Sequence, residues 1–151
     1  MINEETIIIA DAVAEYLRKN SFPDAARKLF INFKLKDFSS RKITVAPIAY
    51  ELEQLNRCQM AMTSTIQIGY QELLTGKDPD AEIEEKLLIM RGMAKLFTRL
   101  VNLSACKATV SGIDNVPMYD HAAVRDSNLF VSVLTLTTVC VINAEARNAD
   151  V

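Results

Sequence analysis

The feature that most constrains this chain is a run of apolar residues spaced by threes and fours. Val45, Ile48, Leu52, Leu55, Met62, Ile66 and Leu73 follow that spacing once Gln59 and Gly69 fill two gaps. Such a run is the heptad seam of a coiled-coil helix, about four repeats long. Pro47 fits only in a first turn, which starts the helix near Val45, with Thr44 as its N-cap. The stretch Thr75-Gly76-Lys77-Asp78-Pro79-Asp80 then reads as a stop followed by a start. Gly76 can take the left-handed conformation that ends a helix, Asp78 can cap the next one, and Pro79 suits its first position. Asp80, Glu82, Glu84 and Glu85 crowd the first turns, where the helix dipole favours negative charge. Ile83, Leu87, Met90, Ala94, Phe97 and Val101 form a second seam on steps of four and three. A short turn between two helices makes them antiparallel neighbours, so a helical hairpin is expected over 45–105.

The rest of the chain supports the same class. Only four Gly and four Pro occur in 151 residues, which leaves few turns and favours long helices. Residues 120–146 read as a buried C-terminal helix capped by Asp120. Leu129, Val133, Leu136 and Cys140 share one face of it, and Phe130, Leu134 and Val141 an adjacent one. A strand remains open there, because Val131 to Ile142 is rich in β-branched residues. Its only candidate partners are Ile43-Thr44-Val45 and Ile7-Ile8-Ile9. The expected architecture is one all-α domain over 1–151, a helical bundle around the long hairpin, with a short N-terminal helix-turn-helix.

That N-terminal element spans residues 9–33. Ile9, Val13, Tyr16 and Leu17 recur at helical spacing, Ser21-Phe22-Pro23 breaks the helix, and Ala26, Leu29 and Phe30 point inward from a second one. The spacing Tyr16-Leu17-x-x-x-x-Phe22-x-x-x-Ala26 resembles the LisH motif, a short helical dimerisation element of eukaryotic regulatory and scaffold proteins. The family's usual glycine before the aromatic is Ser21 here. The resemblance implies a homodimer in which Ile9, Val13, Tyr16, Leu17, Phe22, Ala26 and Leu29 bury against their copies.

Catalytic chemistry is not visible. His121 is the single histidine, no glycine-rich phosphate loop can be built from glycines 69, 76, 92 and 112, and no nucleophile elbow is present. Cys58, Cys106 and Cys140 are odd in number and widely spaced, which speaks for small buried side chains. No enzyme activity, cofactor or metal is therefore expected. One segment has a charge bias. Arg18, Lys19, Arg27, Lys28, Lys34, Lys36, Arg41 and Lys42 are offset only by Asp24 and Asp37, and phenylalanines 22, 30, 33 and 38 are interleaved. Such a strip can grip phosphate and stack on bases.

The leading expectation is a non-enzymatic interaction or scaffold protein that self-associates through amphipathic helices. The alternative is a helical nucleic-acid-binding regulator using 18–42. Partners would be copies of itself, another protein, or nucleic acid, and not a membrane. The N-terminus is acidic and unlike a signal peptide. The longest apolar stretch, 129–142, is shorter than the ~20 residues a bilayer needs. An intracellular, cytoplasmic protein is expected, with nuclear placement left open.

Overall fold

The computed structural model describes residues 4–32, 41–98 and 107–143. Its centre is a five-stranded sheet, not a helical bundle. In chain order the elements are helix α1 (Glu5–Lys19), strands β1 (Ala25–Arg27), β2 (Lys42–Gln54) and β3 (Gln59–Leu73), helix α2 (Pro79–Lys95), strand β4 (Thr109–Asp114), helix α3 (His121–Ser127) and strand β5 (Leu129–Asn143). The strands lie in the order β1-β2-β3-β5-β4. β1 runs parallel to β2, and every other pair is antiparallel.

The expected helical hairpin over 45–105 is therefore overturned in its first half. Residues 42–73 form a long β-hairpin. Its turn is held by Leu55 N–H donating to Gln59 O at 3.0 Å and Cys58 N–H donating to Asn56 Oδ1 at 2.9 Å, an Asx turn of the kind asparagine favours. The physical reason is periodicity. On β3, Met62, Ser64, Ile66, Ile68 and Tyr70 are all buried, a step of two that needs no filler except a serine. The heptad seam needed Gln59 and Gly69 in apolar seats. Thr63, Thr65, Ile66 and Ile68 also prefer the pleated backbone to a helix.

The C-terminal helix over 120–146 is corrected in the same way. Asp120 does cap a helix, accepting from Ala123 N at 3.1 Å, but α3 lasts only seven residues. Asn128, in the left-handed conformation at φ 55, ends it, and β5 follows. β5 pairs with β3 along its whole length and with β4 at Thr135–Val139. A central strand covered on both faces through Leu129–Leu134 presents apolar residues all round, which imitates a buried helix.

One face of the sheet carries α1 and α2. Ile9, Val13 and Leu17 of α1, Met90 and Met93 of α2, and Phe97 meet Ile43, Val45, Met62, Ile66, Ile68, Tyr70, Phe130, Leu134 and Leu136 in one core. Tyr16 joins the helices, with its ring 5.4 Å from Phe97 and its hydroxyl donating to Leu96 O at 3.3 Å. The expected second helix of the N-terminal hairpin is absent. Helix α1 ends where Phe22 N–H returns to Leu17 O at 3.0 Å and Ser21 takes φ 82, a left-handed cap. The chain then pairs in the sheet as β1, because Ala25–Arg27 can satisfy its backbone along Ile43–Val45. Lys28 N–H donates to Val45 O at 2.9 Å, and residues 29–32 pass to the opposite face. There Ile31 lies so close to Gly69 that a Cβ on residue 69 would sit 3.0 Å from it.

Of the stop-and-start signal at 75–80 the start stands, while the stop at Gly76 follows strand β3 and not a helix. Asp78 accepts from Ala81 N, Pro79 opens α2, and Gly76 takes φ 82. Glu82 adds a clamp, accepting from Thr75 N at 2.8 Å, Thr75 Oγ1 at 2.7 Å and Gly76 N at 3.2 Å. These donors, the Thr75 hydroxyl first, hold its carboxyl below the usual glutamate range.

Candidate functional site

Most of the large exposed apolar side chains gather on two flanks of the sheet, while Leu73, Leu88 and Val141 stand apart from them. Of the large ones exposed among the described residues, Ile48, Tyr50, Leu52 and Leu55 line the outer side of β2 and its turn. Leu29 (62% exposed) and Phe30 (69%) follow β1 at the same edge, next to Ile31 on the face opposite α1, whereas Tyr50 and Leu52 point to the α1 face. β1 pairs with β2 only as far as Val45, so the outer edge of β2 beyond it has no strand beside it among the described residues. That edge is unsuited to simple strand addition. Pro47 lacks an N–H, the register shifts between Pro47 and Ala49, and Glu51 and Glu53 are exposed. Proline, a bulge and charge are how proteins blunt an open edge. What this flank offers to another molecule is side chains and not a free strand edge.

The opposite flank is built from the segment between β4 and α3. Asn115 Nδ2 donates to Ser132 Oγ at 3.0 Å and to Val133 O at 2.7 Å. Ser132 Oγ donates to Met118 O at 2.7 Å, and Asp120 N–H donates to Val131 O at 2.8 Å. Tyr119 stacks between His121, 4.2 Å away, and Phe130, 5.9 Å away. These anchors hold rigid a loop that presents Val116, 84% exposed, and Met118. Beside it lies a groove of about 580 Å³. Its walls are Val116, Pro117, Tyr119, Ala122, Ala123, Leu129, Val131 and Val133, with Asp120, His121, Ser127 and Ser132 as its polar members. Leu129, Val131 and Val133 occupy the sheet face away from the α1/α2 core, where Ala123 of α3 packs on the first two. Volume and lining suit a binding cleft.

Residues singled out in the sequence fall into three groups. Of the expected dimerisation set, Ile9, Val13 and Leu17 are buried against this chain's own sheet, as is Phe22, while Tyr16 is half-buried. Ala26 is exposed, and so is Leu29. Of the basic set, Lys19 pairs with Glu15 at 3.1 Å, Arg27 with Asp11 at 2.7 Å and Arg41 with Asp24 at 2.9 Å. Arg18 donates to Ala25 O at 3.1 Å. Lys28 is exposed and makes no ion pair among the described residues, Lys42 begins β2, and Lys34 and Lys36 lie outside the described residues. Cys140 is buried in the core and Cys58 half-buried in the hairpin turn, while Cys106 lies outside the described residues.

One polar network was not legible in the sequence. Tyr70, fully buried, donates to Glu72 Oε1 at 2.5 Å, and Glu72 pairs with the buried Lys86 at 3.3 Å. Arg41 faces the same hydroxyl from its pair with Asp24. Burial, then the bond to Glu72, pushes the Tyr70 hydroxyl well above the usual tyrosine value. The network ties the start of β2, the end of β3 and α2 together with balanced charge. Among the described residues no cluster of three His, Cys, Asp or Glu could hold a metal, and no helix is long and apolar enough to cross a membrane. Compared with known proteins, the sequence matches no family profile and no curated protein.

Proposed function

We propose that this chain is a non-enzymatic interaction module that assembles with copies of itself through the two flanks of its sheet. The observation that carries the reading is that eight of the eleven large apolar side chains exposed among the described residues lie on two unlike flanks, with Leu73, Leu88 and Val141 elsewhere. One is a projecting strip along β2 and the other is a cleft behind a braced loop. Contiguous exposed apolar surface on a folded domain marks an interaction site. Unlike surfaces on opposite sides of one subunit favour head-to-tail contact, which closes into a ring or runs on as a filament. The self-association expected from helices thus moves to the sheet, because the apolar stripes of α1 and α2 are already covered by the chain's own core.

Light scattering coupled to size-exclusion chromatography tests this. The expected result is a mass that is a multiple of 16.8 kDa and falls on dilution. A monomer that persists at tens of micromolar removes the proposal.

A further inference from the structure

We infer that the groove beside α3 receives Leu29 and Phe30 from a neighbouring copy, an inference that rests on the self-association proposed above. The first argument is position. Ile31 against Gly69 places residues 29–32 on the face away from α1 and α2, which is also the face of Val131 and Val133 in the groove. Along the hydrogen-bonded rows, Val133 is level with Gly69, Thr44 and Ala26, three residues before Leu29. The segment that carries the knob therefore leaves β1 beside the row at which Val133 ends the groove, and on the same face, with β2, β3 and β5 crossing the sheet between β1 and the loop at 115–118. Copies set side by side in the same orientation bring the knob of one to the groove of the next.

The second argument is charge. Lys28 beside the knob, Asp114 beside the groove, Glu53 on β2 and Lys107 before β4 are exposed, and none has an ion-pair partner among the described residues. Their heights match across the molecule. Asp114 is level with Ala46, one residue beyond Val45, whose carbonyl holds Lys28. Thr109 is level with Glu51, and Lys107 lies two residues nearer the hairpin tip, where Glu53 stands. β4 runs antiparallel to β2, so the same side-by-side placement brings Lys28 toward Asp114 and Glu53 toward Lys107. Matched potentials of this kind fix register and suppress wrong partners.

The test uses two single variants at exposed positions, Phe30→Asp to remove the knob and Val116→Asp to spoil the groove. Circular dichroism and melting temperature verify that each folds as the parent does. The parent is expected to assemble, and each variant alone is expected to be a 16.8 kDa monomer. An equimolar mixture then restores one good contact per pair and gives a species of twice that mass. A parent that assembles while Phe30→Asp or Val116→Asp assembles equally well overturns the knob-and-groove contact and leaves self-association standing. A mixture that stays monomeric also overturns it. A parent that never assembles defeats both.

Discussion

The two halves of the β2–β3 hairpin share one continuous ladder and differ in almost everything else. In the base, Lys42–Pro47 against Ile66–Gln71, one face lies under α1 and the other under Ile31. Ile43, Thr44, Val45, Ala46, Ile66, Ile68 and Tyr70 are all buried there. In the tip, Tyr50–Gln54 against Met60–Ser64, β2 is exposed throughout, with Tyr50 and Leu52 on the core face beyond α1 and Glu51 and Glu53 on the other. Backbone pairing keeps both halves extended and Met62 and Ser64 of β3 stay buried, but on β2 only the base is held by burial. The apolar side chains of the β2 tip contribute little to the fold of one copy, so they are free to meet a partner.

That difference is broken hardest in the base. Ile66→Ala removes a fully buried side chain beneath α1 and is expected to cost about 2–5 kcal/mol. A melting temperature within a few degrees of the parent would show that the base is no better packed than the tip. On the other face, Gly69→Ala places a Cβ 3.0 Å from two atoms of Ile31 and is expected to cost about 1–2 kcal/mol through overpacking. Because the clash has one named partner, Ile31→Ala should recover part of the loss. Strict additivity in the double-mutant cycle would show that the two residues do not touch.

Local signals were legible in the sequence, and long-range pairing was not. Asp78-Pro79 and Asp120 were readable as helix starts because a cap acts within three residues of itself. The α1 stripe of Ile9, Val13 and Leu17 was readable for the same reason. The hairpin was misread because Val45, Ile48, Leu52, Met62 and Ile66 alias a step of three or four onto strands whose true step is two. The bulge at Pro47/Ala49 moves the core face from Val45 and Pro47 to Tyr50 and Leu52, which helps the disguise. The strand alternative for 129–142 needed a distant partner, and the pairing of Leu129–Asn143 with Gln59–Leu73 has no local signature. Of the flanks, Leu29 was singled out in the sequence, but on an expected second helix that does not form. The groove joins residues 116–123 to 129–133 through Asn115 and Ser132, a contact no spacing rule exposes.

A smaller effect of opposite sign lies at the end of the base. Gln71 is fully buried, and neither of its side-chain amide atoms has a hydrogen-bond partner among the described residues. A buried amide without partners forfeits its hydration, so Gln71→Leu is expected to stabilise the fold by about 1 kcal/mol. For a chain of this size that is a rise of roughly 2–4 °C in Tm. A fall in Tm would mean that the amide is satisfied in solution and that the base relies on it.

The smallest effect on folding is expected at Leu52, and it discriminates best. Leu52 and Ile66 hold equivalent seats in the heptad reading, where an aspartate at either would bury an unpaired charge and unfold the chain. In the sheet they are unlike, since Leu52 is 40% exposed in the tip and Ile66 is fully buried in the base. Leu52→Asp should therefore leave monomer stability within about 0.5 kcal/mol of the parent. Its consequence is expected in assembly, where it adds an acidic side chain, on the face opposite Glu51 and Glu53, to the flank proposed above to meet a neighbour. The measurement pairs a urea midpoint taken under dissociating conditions with a solution mass. An unchanged midpoint with a reduced mass places Leu52 at an interface, whereas a collapsed midpoint would return it to the interior of a single chain.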